Sequence, residues 1–174
     1  AAIRMAIQHP DRVRNLIVIS TAAERDGWFP SALKGMEAVS SAQADQMKQT
    51  PIYTRYAEVA PHPEQFPLLL DRMGDLMRKD YDWRGEIARL PMPTLLLFAD
   101  HDAISTKHMA EFFALLGGGV QDAGWEGTPK FARARLAIVP GYTHYNFGQG
   151  PDIARVIEGY LTNPTSKATQ FSPE

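Results

Sequence analysis

Three short, almost purely apolar runs constrain this chain more than any other feature: Leu16-Ile17-Val18-Ile19, Thr94-Leu95-Leu96-Leu97-Phe98-Ala99 and Leu136-Ala137-Ile138-Val139. A strand with one face in water alternates apolar and polar side chains, whereas a strand covered on both faces reads as an unbroken apolar run. Turn residues bound the runs, with Pro91 and Pro93 ahead of the second and Pro140-Gly141 behind the third. Helical periodicity lies around them. Ala1 to Gln8 reads as the end of a helix, stopped at His9-Pro10 because a proline disfavours helical geometry in the residue before it. Lys107 to Leu116 places Met109, Phe112, Phe113, Leu115 and Leu116 on one face, and Gly117 suits the C-terminal cap. Ile153 to Leu161 carries a second apolar stripe, with Asp152 as the expected N-cap and Pro151 before it. Strands alternating with helices predict an α/β fold with a parallel sheet and right-handed crossovers.

The stretch between the first two strands, roughly Ala22 to Leu90, is far longer than an ordinary connection. Its Met, Ala and Gln content predicts helices near Ser31–Lys48 and Glu64–Arg78, an excursion best read as a lid. Gly117 to Arg133 holds five glycines and little periodicity and is expected to be an extended loop. The expected division is a core over residues 1–21 and 91–163, a helical cap insertion over 22–90, and a frayed polar tail over 164–174.

Composition narrows the function classes. The 174 residues carry a net charge of −2, which supplies no basic field for nucleic acid or an anionic membrane. The absence of cysteine excludes disulfides, thiolate metal sites and a cysteine nucleophile, and fits a cytoplasmic setting. No apolar run reaches the ~18 residues that a membrane-spanning helix needs. Residue 1 is not Met and lies inside a helical pattern without a capping residue, so the chain is expected to be part of a longer one.

Chemistry gathers just past the second and third strands, in Asp100-His101-Asp102 and in Tyr142-Thr143-His144-Tyr145. In open parallel sheets ligands bind at the carboxyl ends of strands. A carboxylate that accepts the Nδ1 proton of a histidine fixes its tautomer and stabilises the imidazolium, leaving the ring to act as general base and acid. Asp102 and His144 are the candidates, with Asp100 the nearer competitor for the acid.

These residues resemble the second half of an α/β-hydrolase. Ala6-Ile7-Gln8-His9-Pro10-Asp11-Arg12-Val13 is similar to the helix behind the nucleophile in that family and the strand after it. Pro93 to Asp102 resembles the strand that delivers the triad acid, and Pro140-Gly141-Tyr142-Thr143-His144-Tyr145 resembles the histidine loop. The resemblance implies a C-terminal α/β-hydrolase sheet of the last three strands with a helical cap insertion, and the catalytic order Ser, Asp, His. It implies Asp102 as the triad acid and His144 as the base, acting on an ester or a related small acyl compound. The G-x-S-x-G nucleophile elbow is absent from the sequence. The chain is therefore expected to be inactive alone and to need its missing N-terminal half or a complementing chain; a homo-oligomer is a further arrangement left open. A non-catalytic binding protein on the same fold, or a half-chain that assembles with a partner polypeptide, is the alternative.

Other residues divide between chemistry and packing. Trp28, Phe29, Tyr142 and Tyr145 are candidates for the substrate pocket, against the plainer reading that they pack. Ser20 ends the first strand but lacks flanking glycines, so it reads as a turn or cap hydroxyl rather than a nucleophile. His101 and His108 read as solvated or local hydrogen-bonding residues, with His101 beside the acid and near enough to touch a substrate. No cofactor or metal is expected: Gly117-Gly118-Gly119 follows a helix rather than a strand, and no H-E-x-x-H pattern joins His101, Asp102, His108 and His144 into a metal site.

Overall fold

A computed structural model describes residues 1–122 and 133–162. In chain order the elements are α1 (Ala2–Gln8), β1 (Leu16–Ile19), α2 (Pro30–Ala38), α3 (Ala44–Met47), α4 (Pro51–Val59), α5 (Phe66–Met77), α6 (Arg84–Ile87), β2 (Thr94–His101), α7 (Thr106–Leu115), β3 (Ala134–Thr143) and α8 (Pro151–Thr162). The three apolar runs form one parallel sheet in the order β1-β2-β3, with Leu16 opposite Thr94 and Thr94 opposite Ala134. This is the α/β architecture that the runs predict.

β2 is central, and its side chains divide between two cores. Leu96 and Phe98 join Ile3, Ala6, Leu16, Val18, Met109 and Phe112, so α1 and α7 cover one face. Leu95, Leu97 and Ala99 join Val139, Phe147, Ile153 and Tyr160, so α8 covers the other. Alternate residues of a strand point to opposite faces, and both faces here are apolar. That is why Thr94 to Ala99 is buried without a break.

β2 and β3 run further than their apolar segments. Beyond the pairing of Ala99 with Val139 the register slips, and His101 pairs with Thr143. One residue of β2 (Asp100) therefore faces three of β3 (Pro140, Gly141 and Tyr142). Gly141 takes φ +82°, a conformation open to glycine at little cost. Asp100 Oδ1 closes the irregularity by accepting from the backbone N–H of Gly141 at 3.0 Å and of Tyr142 at 3.3 Å. Gly117, at φ +82°, follows α7 as expected of a C-terminal glycine. Asp152 is not an N-cap: α8 starts one residue earlier at Pro151, whose fixed φ suits a first helical position.

The chain forms two compact units, one of residues 1–28 and 82–174 that contains the sheet, the other of residues 29–81. Residues 22–28 and 82–90, assigned to the insertion from sequence, lie in the sheet unit. Ala22, Ala23 and Ile87 are buried in its core, and the Trp83 N–H donates to the Ala23 carbonyl at 3.0 Å. The second unit is helical, with Ala44, Phe66 and Leu70 at its centre and Tyr53 and Tyr56 packed on Phe66. The helix expected over Ser31–Lys48 is broken: Val39 and Ser40 are extended, and Arg78 Nη1 donates to the Glu37 and Val39 carbonyls at the end of α2. The helix expected over Glu64–Arg78 is α5, preceded by a 3₁₀ turn at Pro63–Gln65. α4 and α6 were not anticipated. The central part of the expected 117–133 loop, residues 123–132, and the tail beyond 162 lie outside the described residues.

Candidate active site

His144 and Asp102 meet at the carboxyl rim of the sheet. Nδ1 of His144 lies 2.9 Å from Oδ1 of Asp102, two residues that stand 42 positions apart in sequence. The Asp102 side chain is wholly buried, whereas the imidazole keeps 26% of its side-chain surface exposed. One ring edge is thus engaged inside the protein while part of the ring stays accessible.

Each side chain is placed by its strand end. Asp102 is the residue just past β2, and its Oδ2 turns back to accept the Ala99 N–H at 3.1 Å. The same oxygen accepts the hydroxyl of Ser20, just past β1, at 2.6 Å. Burial pushes the Asp102 carboxyl up, but the hydrogen bonds from His144, Ser20 and Ala99 outweigh it and hold the group below the ordinary carboxylate value. Asp102 is therefore an ionised acceptor, and an acceptor-only carboxylate at Nδ1 requires that nitrogen to carry the proton. His144 sits in a tight turn after β3. Asn146 Oδ1 accepts from the Thr143 N–H at 2.7 Å and the Thr143 hydroxyl at 3.0 Å, which fixes the backbone on either side of the imidazole.

Asp100 does not reach His144. Its carboxylate is spent on the β3 backbone and on His101 Nδ1 at 3.1 Å, and those hydrogen bonds, His101 first, hold it below its ordinary value. His101 is 77% exposed in its side chain and belongs to that pair. His108 is not solvated: it is buried on α7, and its Nε2 accepts the Ala23 N–H at 3.0 Å. Ser20 is not a turn or cap hydroxyl, since its Oγ donates to Asp102.

The aromatic candidates fall into different places. Trp28 lies edge-on to the His144 ring at 5.3 Å between centroids, held by a bridge to Ile104 and by the bond from Ser105 N–H to the Gly27 carbonyl. Tyr145 lies edge-on to the same ring at 5.4 Å and is 79% exposed. Tyr142 turns toward α8: its hydroxyl donates to Asp152 Oδ2 at 3.1 Å and its ring packs edge-on against Phe147. Phe29 belongs to the helical unit and is exposed. Among the described residues no group of His, Asp and Glu is arranged to hold a metal ion, and no helix is long and apolar enough to cross a membrane.

Ser20, Ala99 and Asn146 were not expected at this site from sequence. The hydroxyl of Ser20 was visible as a strand-end residue, but its partner lies 82 positions away, which no local pattern reports. The Ala99 amide has no signal in its side chain.

The fold recurs in solved structures. MGS-M2, described as an alpha/beta hydrolase enzyme from a Medee basin deep-sea metagenome library, matches with a TM-score of 0.60 at 17% identity, over 98% of this chain and 63% of that one. The carboxylesterase CesB (YbfK) from Bacillus subtilis matches with a TM-score of 0.56 at 16% identity, over 94% and 56%. The enol-lactonase from Burkholderia xenovorans LB400 matches with a TM-score of 0.54 at 20% identity, over 93% and 61%. The chain has the α/β-hydrolase fold, and its three parallel strands with their helices correspond to the C-terminal part of that fold. It spans between 56% and 63% of the length of these structures. No family model and no curated protein matches the sequence.

Proposed function

We propose that Asp102 and His144 are the acid and the base of a serine-type hydrolase acting on an ester or a related small acyl compound. The observation that carries this reading is the 2.9 Å contact between His144 Nδ1 and a buried carboxylate, with the rest of the imidazole accessible. With the proton on Nδ1, the Nε2 lone pair is free to take the proton of a serine hydroxyl as it attacks the acyl carbon. Asp102 then faces an imidazolium, which it stabilises until Nε2 returns the proton to the leaving alcohol. The serine and most of the backbone amides that hold the oxyanion belong, on this reading, to polypeptide outside this sequence. Trp28 and Tyr145, both edge-on to the imidazole, line the acyl or alcohol side of the pocket.

An ester is favoured because a carboxylesterase and an enol-lactonase are among the proteins of similar structure. Fold alone does not select a substrate, since one fold carries many chemistries. A completing polypeptide is favoured by the position of β1 at the edge of the described sheet with Leu16 and Val18 already buried, because an apolar edge strand calls for a partner. The test is turnover of p-nitrophenyl acetate by the chain joined to, or mixed with, the polypeptide that supplies the nucleophile. His144→Ala is expected to remove about 10⁶-fold of the rate and Asp102→Asn about 10⁴-fold, with Asp100→Asn far milder. Full activity in His144→Ala would overturn the reading, and a larger loss in Asp100→Asn than in Asp102→Asn would move the acid to Asp100.

A further inference from the structure

We infer that Ser20 is a positioning residue for the Asp102–His144 pair: its hydroxyl fixes one oxygen of the carboxylate so that the other faces His144 Nδ1. The inference rests on the proposed acid–base pair, because orienting the acid matters only if His144 works as the base.

The two oxygens of Asp102 divide their partners. Oδ1 takes His144, while Oδ2 takes the Ser20 hydroxyl at 2.6 Å and the Ala99 N–H at 3.1 Å. The last torsion of an aspartate is soft, so a carboxylate held at one oxygen alone can swing out of plane. Two donors on Oδ2, from two different strands, remove that freedom. A hydroxyl given to the ionised form also lowers the proton affinity of the carboxylate, which keeps it the acceptor that the Nδ1 proton requires.

The backbone at Ser20 points the same way. Its φ is +45°, and it is the single residue other than glycine with positive φ among the described residues. Glycine would occupy that conformation without strain, whereas a Cβ there is penalised. Ser20 is buried, and its N–H continues the ladder to the Leu97 carbonyl at 2.9 Å, so the surrounding sheet holds it in place. A strained residue persists where its surroundings over-determine it, and such residues cluster at functional sites. What serine offers here over glycine is the hydroxyl, and the hydroxyl is on Asp102.

The experiment follows the Asp102 side-chain carboxyl carbon by NMR against pH, in the full chain labelled with ¹³C-aspartate. Four proteins are compared: wild type, His144→Ala, Ser20→Gly and Ser20→Ala. Glycine removes the hydroxyl while suiting the backbone, so it separates the hydrogen bond from the fold; alanine is the second variant should glycine loosen the turn. Each substitution removes a donor to the charged form. The Asp102 midpoint is therefore expected to move upward in all three variants. If it moves in His144→Ala but stays in place in both Ser20 variants, the inference about Ser20 is overturned and the pair stands. A loss of unfolding midpoint in the Ser20 variants with no movement of the Asp102 titration overturns it equally, since that combination marks a merely structural serine. An unmoved titration in His144→Ala removes the pair itself, and the role of Ser20 with it.

Discussion

Asp100 and Asp102 stand two positions apart and serve different neighbours. Asp100 lies in the bulge and accepts from two backbone amides of β3; Asp102 lies past the strand end, buried, and accepts from His144. Sequence favoured Asp102 by resemblance to a motif, but nothing in residue type separates two aspartates flanking one histidine. The register slip after Ala99 separates them, because it turns one carboxylate along the sheet and the other into the interior. A consequence for stability follows. The Asp102 carboxyl titrates lower in the folded chain than in the unfolded one, so the unfolded state binds its proton first as the pH falls. Its contribution is full above the ordinary value of ~3.9 and is lost as the pH drops through the folded value. Urea midpoints measured from pH 5 downward should fall less steeply in Asp102→Asn than in wild type. Equal slopes would show that the carboxylate gains nothing from its three donors.

Elements were legible where one physical signal dominated. A strand covered on both faces needs an unbroken apolar run; all three strands carry one, but β2 alone is buried throughout it, whereas Ile19 of β1 and Ile138 of β3 are exposed. Helices of the insertion were less legible because their ends were hidden. Proline at the first positions opens α2 at Pro30, α4 at Pro51 and α8 at Pro151, and reading each as a start would have recovered α4 and the true start of α8. The break after α2 carries no such mark; it is made by Arg78 reaching its terminal carbonyls from beyond α5. α7 shows how one side chain joins elements. His108 accepts the Ala23 N–H, and its ring lies so close to Gly27 that a Cβ there would come within 2.4 Å of it. The turn that presents Trp28 to His144 is thus seated on a neutral imidazole. Burial is the chief cause that lowers the His108 titration from its ordinary 6.5, with Glu111 opposing it and Arg84 adding to it. The unfolded chain then takes up this proton before the folded one, and stability falls as the pH drops from 7 through 6. Glu24 faces the same ring and has its carboxyl raised, first by burial, so it acts in a lower window and in the opposite direction. His108→Gln should flatten unfolding midpoints between pH 7 and 6; an unchanged slope would exclude His108 as its source.

The whole molecule does what no segment can. Ser20, Asp102 and His144 come from the ends of three strands, 82 and 42 positions apart, and meet because a parallel sheet places all its carboxyl ends on one rim. The parallel arrangement and the rim were legible from three runs and their connections. The partners of the acid were not, since contacts between strand ends depend on register, and register depends on a bulge that sequence did not show. The central claim is that this fold presents His144 with its proton on Nδ1 and its Nε2 lone pair open. Long-range ¹H–¹⁵N correlation of the folded chain, at a pH where the imidazole is neutral, measures that directly. The Nδ1–H tautomer is predicted for His144, and it should be lost on unfolding or in Asp102→Ala. An Nε2–H tautomer in the folded wild type would contradict the account.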